Sequence, residues 1–211
     1  MKPGVDILGV KIRLTGTATR TGRIRRLHRA GLVVIFTYSL AAPAVAAGAN
    51  LCEREMTASA ARHGVPLGIL YSIGMTESGN KGTLHPYAMN IEGRPVFAKN
   101  RADAIRRFRR ARKKGMRLID IGCMQINHHY HAKAFSSVQE MFVPARNVDY
   151  AARFLKSLRA REGSWTMAAA RYHAGPKNNP AQKRYVCRVI KNIVAAGFGQ
   201  WTGNAKRFCS K

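Results

Sequence analysis

From residue 50 onward, the sequence falls into helical segments that begin and end at residues typical of helix boundaries. Asn50, Asn100 and Ser164 are suited to cap helices, and glycines follow most of the segments. The predicted helices span residues 51–62, 67–78, 101–114, 144–161, 165–172 and 179–197, and a tail follows over residues 198–211. Residues 80–99 are rich in Gly and Pro, which predicts a loop with room for short extended pieces. Because alternating strand-like runs are almost absent, the sequence predicts a mainly α-helical single domain.

The first 49 residues have the three parts of a secretory signal peptide. A basic region with eight Lys and Arg and one acid, Asp6, precedes 12 mostly apolar residues, and an Ala-rich stretch with several Ala-x-Ala sites follows. The alternative is an uncleaved membrane anchor, although this apolar core is short for a membrane span. We therefore expect a signal peptide over residues 1–49, a domain over residues 50–211, and a periplasmic or exported protein.

The net charge restricts the partners of this chain. Its 37 Lys and Arg residues against ten Asp and Glu give +27 at pH 7, and residues 50–211 alone keep +20. Such a charge predicts a polyanionic partner, but it does not choose among nucleic acid, anionic lipid and acidic cell-wall polymer. No apolar run reaches 18 residues, which excludes a typical transmembrane helix. The 46% hydrophobic content argues against a fully disordered chain.

All four cysteines follow the expected signal peptide. They are Cys52, Cys123, Cys187 and Cys209. An even number after a signal peptide predicts disulfides in an oxidising compartment, and the spacing leaves all three pairings open. The chain has no Cys-x-x-Cys pattern, so a zinc site has little support. A catalytic thiol at Cys123 is an alternative, but no Cys-His nucleophile pattern stands out near it.

One carboxylate is placed for acid–base chemistry. In the helix predicted over residues 67–78, Leu70, Ile73 and Glu77 share a face that is otherwise apolar or small. Burial on this face and the negative end of the helix dipole both favour the neutral form of Glu77 and raise its pKa. A carboxyl group that stays protonated near neutral pH can act as a general acid. On spacing alone, the alternative is a Glu in the last turn that faces solvent or pairs with an Arg.

Three segments, in this order, resemble motifs of the lytic transglycosylases of the soluble lytic transglycosylase (SLT) family, which are similar to goose-type lysozyme. Residues 74–79, Gly-Met-Thr-Glu-Ser-Gly, resemble the Glu-Ser motif. Residues 122–127, Gly-Cys-Met-Gln-Ile-Asn, resemble Gly-Leu-Met-Gln-Ile-Asn, and residues 170–175, Ala-Arg-Tyr-His-Ala-Gly, resemble Ala-Tyr-Asn-Ala-Gly. The three motifs in the family's order are specific, over about residues 52–195. The resemblance implies a lysozyme-like helical domain with irregular loops that frame a sugar-binding cleft.

This resemblance also implies an activity and a mechanism. Lytic transglycosylases cleave the β-1,4 bond from N-acetylmuramic acid (MurNAc) to N-acetylglucosamine (GlcNAc) in peptidoglycan. By resemblance, Glu77 protonates the leaving oxygen and then acts as base while the muramic 6-hydroxyl closes a 1,6-anhydro ring. The resemblance implies no cofactor, no metal and no second carboxylate, unlike the two-carboxylate glycosidases.

Two further acids are candidates for a second carboxylate, which would favour a hydrolase of lysozyme type. Asp120 precedes the second motif and is therefore expected to approach the cleft; a cap or turn residue, or a partner of an Arg, is the alternative. Glu92 belongs to an Asn-x-Glu-Gly loop, which resembles that of a subfamily, and it is expected to face the same region.

By the same resemblance, further motif residues line the sugar cleft. Gln125 and Asn127 have amides that can both donate to and accept from N-acetyl and hydroxyl groups, and Met124 would contact the apolar face of a sugar. Tyr172 would hydrogen-bond close to the catalytic glutamate and fix its orientation. Ser78 would bind substrate or cap the end of its helix.

Two residues depart from the family pattern. His173 stands where the family usually has Asn, which changes a polar contact and introduces a group that can titrate near neutral pH. Cys123 replaces the usual Leu, and in relatives that carry this Cys an early Cys before the first helix is its expected partner. The resemblance therefore implies a Cys52–Cys123 disulfide, which leaves Cys187 and Cys209 to attach the tail.

Other conspicuous residues are expected to have structural roles. The His-His-x-His pattern at residues 128–131 is not accompanied by patterned acids or cysteines, so we expect no metal site. Trp165 is expected in the core. Tyr87 and Tyr130 are as compatible with a structural role as with stacking on a sugar.

The basic run at residues 101–117 is the strongest argument for another function. It has nine Lys and Arg residues opposed only by Asp103, while Ile105 and Phe108 can anchor one face of the helix over residues 101–114. A nucleic-acid-binding module and a non-catalytic wall-binding protein are the alternatives to an enzyme. The signal peptide argues against nucleic acid, because an exported protein would not meet it. We expect peptidoglycan glycan strands as the substrate, a secretion or conjugation apparatus of the envelope as a partner, and a monomer.

Overall fold

The structure, a computed structural model, describes residues 5–7, 10–12, 50–175 and 177–210. The apolar core and the cleavage region of the expected signal peptide lie outside the described residues. Within the basic region of this expected signal peptide, strands β1 (Val5–Ile7) and β2 (Val10–Ile12) pair in antiparallel fashion. Among the helices of the described residues, none is both long enough and apolar enough to span a membrane.

The described chain is mainly helical, as predicted. The helices are α1 (Leu51–His63), α2 (Leu67–Ser78), α3 (Arg101–Lys113), α4 (His128–His131), α5 (Val138–Met141), α6 (Pro144–Glu162), α7 (Trp165–His173), α8 (Asn179–Ala195) and α9 (Gly203–Ser210). The six predicted helices correspond to α1, α2, α3, α6, α7 and α8, and their ends agree within two residues. The helices α4, α5 and α9 were not predicted, because segments of four to eight residues have too few turns to show a clear period.

The helix boundaries follow the predicted caps. The side chain of Asn50 accepts a hydrogen bond from the Cys52 N–H, and that of Asn100 accepts one from the Asp103 N–H, each at 2.9 Å. These bonds satisfy backbone donors that have no partner within the first turn of a helix. Gly163 ends α6 in the left-handed conformation (φ 77°), which a residue without a side chain adopts at little cost.

A four-stranded antiparallel sheet and a separate pair of strands accompany the helices, and the longest of these strands lie within the predicted loop. The strands are β3 (Gly79–Asn80), β4 (Thr83–Leu84), β5 (Ala88–Ile91), β6 (Arg94–Phe97), β7 (Ile119–Ile121) and β8 (Ile126–Asn127). Four of them form one sheet in the order β6-β5-β7-β8, and β3 pairs with β4. The register places Asn90 opposite Asp120, and Asp120 opposite Asn127, so these three side chains share one side of the sheet.

Helix α2 is the most buried helix and lies at the centre of the core. It packs against α1 and α8, and Ile69, Leu70 and Ile73 are completely buried. At Gly74, which faces α1, a Cβ would meet the terminal methyl group of Met56, so a larger residue there would require this flexible side chain to shift. The acidic residue near the end of this helix is therefore carried into the interior by its apolar neighbours.

Two disulfides connect the core, in the pairing that the resemblance implied. Cys52–Cys123 joins α1 to the turn after β7, and Cys187–Cys209 joins α8 to α9. Cys123 is bonded and fully buried, so the alternative of a catalytic thiol at this position is wrong.

We expect the two disulfides to stabilise the fold unequally, because they close loops of different length. The separations of 71 and 22 residues correspond to about 4 and about 3 kcal/mol of chain entropy in the unfolded state. The double variants C52S/C123S and C187S/C209S should lose about these amounts in free energy of unfolding, measured by urea denaturation. If reduction of the wild type leaves its urea midpoint unchanged, the disulfides do not stabilise the fold.

Candidate active site

A cleft of about 350 Å³ brings together residues from all three sequence motifs. Its lining consists of Glu77, Asn90, Asp120, Gln125, Ile126, Asn127, Tyr130, His131, Phe154, Tyr172 and His173. The end of α2 supplies the Glu, the sheet supplies Asn and Asp, and α4, α6 and α7 supply the aromatic side chains. The cleft therefore combines a single helix-borne acid with polar groups on the sheet and aromatic rings on the surrounding helices.

Glu77 is buried enough to keep its proton near neutral pH. Its side chain is only 15% exposed, and loss of hydration is the main reason why its pKa rises from 4.5 to about 7. A hydrogen bond from Tyr185 acts in the opposite direction, the charge of Asp120 raises the pKa further, and Arg188 lowers it. The prediction from spacing, that the apolar face of α2 keeps this acid neutral, has the same physical cause.

The Tyr185 hydroxyl orients the acid. It donates a hydrogen bond of 2.6 Å to Oε1 of Glu77, and the ring of Tyr185 is completely buried in α8. Burial and the neighbouring carboxyl raise the pKa of Tyr185 well above its usual value, so the hydroxyl remains a donor. Because Oε1 accepts this bond, the proton of the neutral carboxyl group belongs on Oε2, which has no hydrogen-bond partner among the described residues.

His173 supports Tyr185 and forms no ion pair with Glu77 while the imidazole is neutral. The two aromatic rings stack with centroids 4.3 Å apart and planes 6° apart, and Nδ1 of His173 lies 3.8 Å from Oε1 of Glu77. Burial and the charge of Arg188 lower the pKa of His173. The pKa of His173 therefore lies below its ordinary value, whereas the sequence predicted only that this residue can titrate near neutral pH.

A row of polar side chains crosses the sheet at the bottom of the cleft. Asn127 donates a hydrogen bond of 2.7 Å from Nδ2 to Oδ1 of Asp120, and burial raises the pKa of this Asp. Asp120 is thus a mid-strand residue bonded to an amide, and not a cap, a turn residue or the partner of an Arg. Gln125 donates from Nε2 to the carbonyls of Ala88 and Gly122, which leaves its amide oxygen for a ligand.

Two residues expected in the cleft lie in the interior instead. Met124 is fully buried and packs into the core, where its sulfur lies close to Gly74. Ser78 is only 3% exposed, and its hydroxyl donates to the carbonyl of Cys123 at 2.7 Å. Neither is available to a sugar, so Ser78 connects the end of α2 to the second motif and Met124 fills the space beneath it.

Tyr172 and Glu92 make other contacts than the resemblance implied. The hydroxyl of Tyr172 donates to the carbonyl of Met124 at 2.8 Å, so Tyr172 lines the cleft while Tyr185 holds the catalytic candidate. Glu92 lies in the turn between β5 and β6, is exposed, and accepts a hydrogen bond of 2.9 Å from the backbone N–H of Arg117. It does not belong to the lining of the cleft.

One side of the cleft is aromatic. The lining contains Tyr130, His131, Phe154 and Tyr172. Tyr130 is 70% exposed at the edge, whereas Tyr87 and Trp165 pack against the core. The sequence had left both Tyr87 and Tyr130 open between a structural role and stacking on a sugar.

Two of the three histidines of α4, His128 and His131, contact aromatic residues of other helices. The ring of His128 lies against Phe108, with centroids 4.8 Å apart, and Nδ1 of His131 lies 2.8 Å from the hydroxyl of Tyr150. Burial lowers the pKa of both His128 and His131. Over the described residues, no group of three His, Cys, Asp or Glu side chains is arranged to hold a metal ion.

Sequence reasoning missed two residues that hold the site in place. Tyr185 and Asn147 both lie on otherwise apolar helix faces, in α8 and α6. Asn147 is completely buried, accepts from the N–H of Met124 and donates to the carbonyls of Ile121 and Met141. A polar side chain on an apolar face needs a partner, and this signal was present in the sequence, although it does not identify the partner.

The fold is mainly α-helical and lysozyme-like, and its cleft places one buried acid beside amides and aromatic rings. The family described as "Transglycosylase SLT domain" matches residues 55–194, about two thirds of the 211-residue chain. The chain belongs to this family, and it is therefore a lytic transglycosylase, a glycosidic bond lyase that acts on peptidoglycan. Comparisons with curated proteins and with solved structures gave no match.

We expect Tyr185→Phe to raise the pKa of Glu77 above its present value of about 7, because the lost hydrogen bond favours the charged carboxylate. An NMR titration of the Glu77 side chain measures the shift. The matched control is Tyr71→Phe, which removes a hydroxyl on α2 that has no hydrogen bond with Glu77. If both variants leave the titration where it is in the wild type, Tyr185 does not tune the acid.

We also expect Glu77 to lower the stability of the fold as the pH rises. Between pH 4.5 and about 7 the folded chain retains a proton that the unfolded chain releases, so stability is complete below this window and is lost through it. The free energy of unfolding falls by about 3 kcal/mol across this window, and this decrease is absent in Glu77→Gln. Urea denaturation at about pH 4 and about pH 8 should show the advantage of the Gln variant only at the higher pH. An equal difference at both values would contradict the raised pKa.

Proposed function

We propose that this enzyme cleaves the β-1,4 bond from MurNAc to GlcNAc with Glu77 as general acid and then as base, and that it releases 1,6-anhydro-muropeptides. The observation that carries this proposal is the state of one carboxyl group. Glu77 is buried, its pKa lies at about 7, and Tyr185 occupies one of its oxygens while the other has no hydrogen-bond partner in the part of the chain that the structure describes. Such a group donates a proton at neutral pH and takes one back after the bond has broken.

In the first step, the proton on Oε2 of Glu77 moves to the glycosidic oxygen, and the bond between this oxygen and C1 of MurNAc breaks. The carboxylate that remains is stabilised by the charge-assisted hydrogen bond from Tyr185. This stabilisation increases as negative charge develops, so it favours the transition state over the ground state.

In the second step, the carboxylate removes the proton of the MurNAc 6-hydroxyl, and the 6-oxygen bonds to C1. The proton that Glu77 lost is thereby restored, no water is consumed, and the 1,6-anhydro ring is closed. One acid is sufficient for both steps because the nucleophile belongs to the substrate, in contrast to glycosidases with two carboxylates.

Substrate binding is assigned to the amides and to the aromatic side of the cleft. The free amide oxygen of Gln125 can accept from an N-acetyl N–H or a hydroxyl group, and Asn127 and Asn90 lie along the same polar row. Tyr130 and Phe154 offer flat apolar faces to sugar rings. His173 acts through Tyr185, whose ring it covers.

A hydrolase of lysozyme type is the second candidate, and Asp120 favours it because this residue lines the same cleft. A hydrolase needs a second carboxylate in its charged form to activate water or to stabilise a cation. Burial raises the pKa of Asp120, and Asn127 engages one of its oxygens. Both features favour a role in shaping the sheet, so transglycosylation is the stronger proposal.

Two variants and one product analysis separate these mechanisms. We expect Glu77→Gln to lose activity on purified peptidoglycan by about a thousandfold, since the Gln amide has no acidic proton to donate. Asp120→Asn should still make 1,6-anhydro products, because it leaves the acid intact and keeps a side chain of the same shape. Mass spectrometry distinguishes these products from hydrolysed ends by the mass of one water. Products with free reducing ends that disappear in Asp120→Asn would establish the hydrolase instead.

We further propose that the enzyme is exported, works as a monomer in the periplasm, and acts next to a secretion or conjugation apparatus that spans the envelope. Peptidoglycan lies outside the cytoplasmic membrane, and the first 49 residues have the composition of a signal peptide. Several cations on α3, Arg110 among them, are exposed and have no ion-pair partner among the described residues, which supports contact with an anionic partner.

A further inference from the structure

A second pocket lies next to the cleft and shares Tyr130 with it. It measures about 470 Å³, and its lining consists of Arg112, Arg117, His128, His129, Tyr130, Ala132 and Lys133. The short helix α4 borders both spaces, because Asn127, whose side chain caps this helix, and His131 at its end line the cleft. A chain of sugars that occupies the cleft as far as Tyr130 therefore reaches this second pocket.

The pocket is positively charged, and its lining has no acidic residue. Arg117 and Lys133 are exposed, and neither side chain has a partner among the described residues. Arg112 donates one hydrogen bond to the carbonyl of Met116 and has no acidic partner among the described residues. Burial and the neighbouring Arg112 lower the pKa of His128, so this imidazole adds polar atoms without adding charge at neutral pH.

Elsewhere in the domain, most buried or half-buried acids are paired with arginines. Asp103 binds Arg106 and Arg107, and Asp149 binds Arg62 and Arg153. The cations beside Tyr130 have no such acid, which leaves them available to an anion from outside the chain. The position of these charges next to a glycan cleft restricts the kind of anion.

We propose that this pocket binds carboxylates of the peptide stem that peptidoglycan carries on MurNAc, so that the enzyme recognises the peptide as well as the sugars. The inference rests on the proposed function, because the stem reaches the pocket only if glycan occupies the cleft. Where a stem is attached, the lactyl carboxyl of MurNAc is tied up in the amide bond to the peptide, so the sugars are uncharged, whereas the stem has free carboxylates. Arg binds a carboxylate with two parallel hydrogen bonds, and Lys adds a point charge. Attachment of the stem to the bound glycan raises its local concentration at the pocket.

The test uses a double variant that removes two charges, Arg117→Gln with Lys133→Gln. The backbone N–H of Arg117, which donates to Glu92, is retained in this variant. The matched control is Arg109→Gln with Lys113→Gln, because these residues are exposed on α3 and line neither the cleft nor this pocket. Both double variants remove one Arg and one Lys, so the net charge of the protein changes equally.

Two soluble substrates are compared, glycan oligomers with stem peptides and the same oligomers after the peptides have been removed and the lactyl carboxyl groups thereby exposed on MurNAc have been converted to neutral amides. We expect the double variant to raise KM for the peptide-bearing oligomers by about three- to tenfold at low salt, with kcat unchanged, since exposed charge pairs contribute modestly. The KM for peptide-free oligomers should stay at the wild-type value, and the control should match the wild type on both substrates. The difference should decrease at high salt, because screening weakens exposed pairs.

Other outcomes would contradict either the pocket or the proposed function, and the experiment distinguishes the two. Equal loss on both substrates, or an equal effect in the control, would mean that the charges act on the glycan or on the whole molecule. If the wild type cleaves neither substrate, the proposed function fails. Calorimetry then still decides whether the pocket binds the stem. The affinity for peptide-bearing oligomers is compared between Glu77→Gln alone and Glu77→Gln combined with the two pocket substitutions, and a lower affinity of the combined variant supports the pocket. Unchanged affinity rejects it.

Discussion

The site depends on the burial of one carboxyl group at the end of an apolar helix. Helix α2 is carried into the core by Ile69, Leu70 and Ile73, and Glu77 enters the interior with it. A charged carboxylate would be costly there, so the group retains its proton to about pH 7. The hydrogen bond from Tyr185 keeps the group oriented and prevents the pKa from rising further. Burial thus keeps the carboxyl group protonated, and Tyr185 fixes its orientation.

The second motif is held by contacts that lie beneath the cleft. Asn147 bonds three backbone groups around it, Ser78 reaches the carbonyl of Cys123, and the Cys52–Cys123 disulfide connects the same turn to α1. Gln125 adopts the left-handed region (φ 45°) just after this turn, a conformation that a non-Gly residue keeps only when its surroundings determine it. The residues that position the second motif are therefore buried beneath the cleft.

Local signals in the sequence were sufficient for most helices, because caps and glycines act over only a few residues. The sheet was not predictable in the same way, since strands of two to four residues depend on partners far away in the chain. The polar row of Asn90, Asp120 and Asn127 exists only through the register of three strands. By resemblance, Met124 was expected to contact a sugar and Ser78 to bind substrate or cap its helix, but packing directs both side chains into the interior.

The sequence by itself determined the helical segments, the acidic residue with its apolar neighbours, the four cysteines and the three motifs that indicate the family. Each of these is readable within one segment or from residue types in order. The tertiary structure decided that Tyr185, 108 residues after Glu77, is the partner of the acid, and that the cations beside Tyr130 border the same cleft. Such contacts are made by the packing of helices and strands from distant parts of the chain, and no local spacing encodes them.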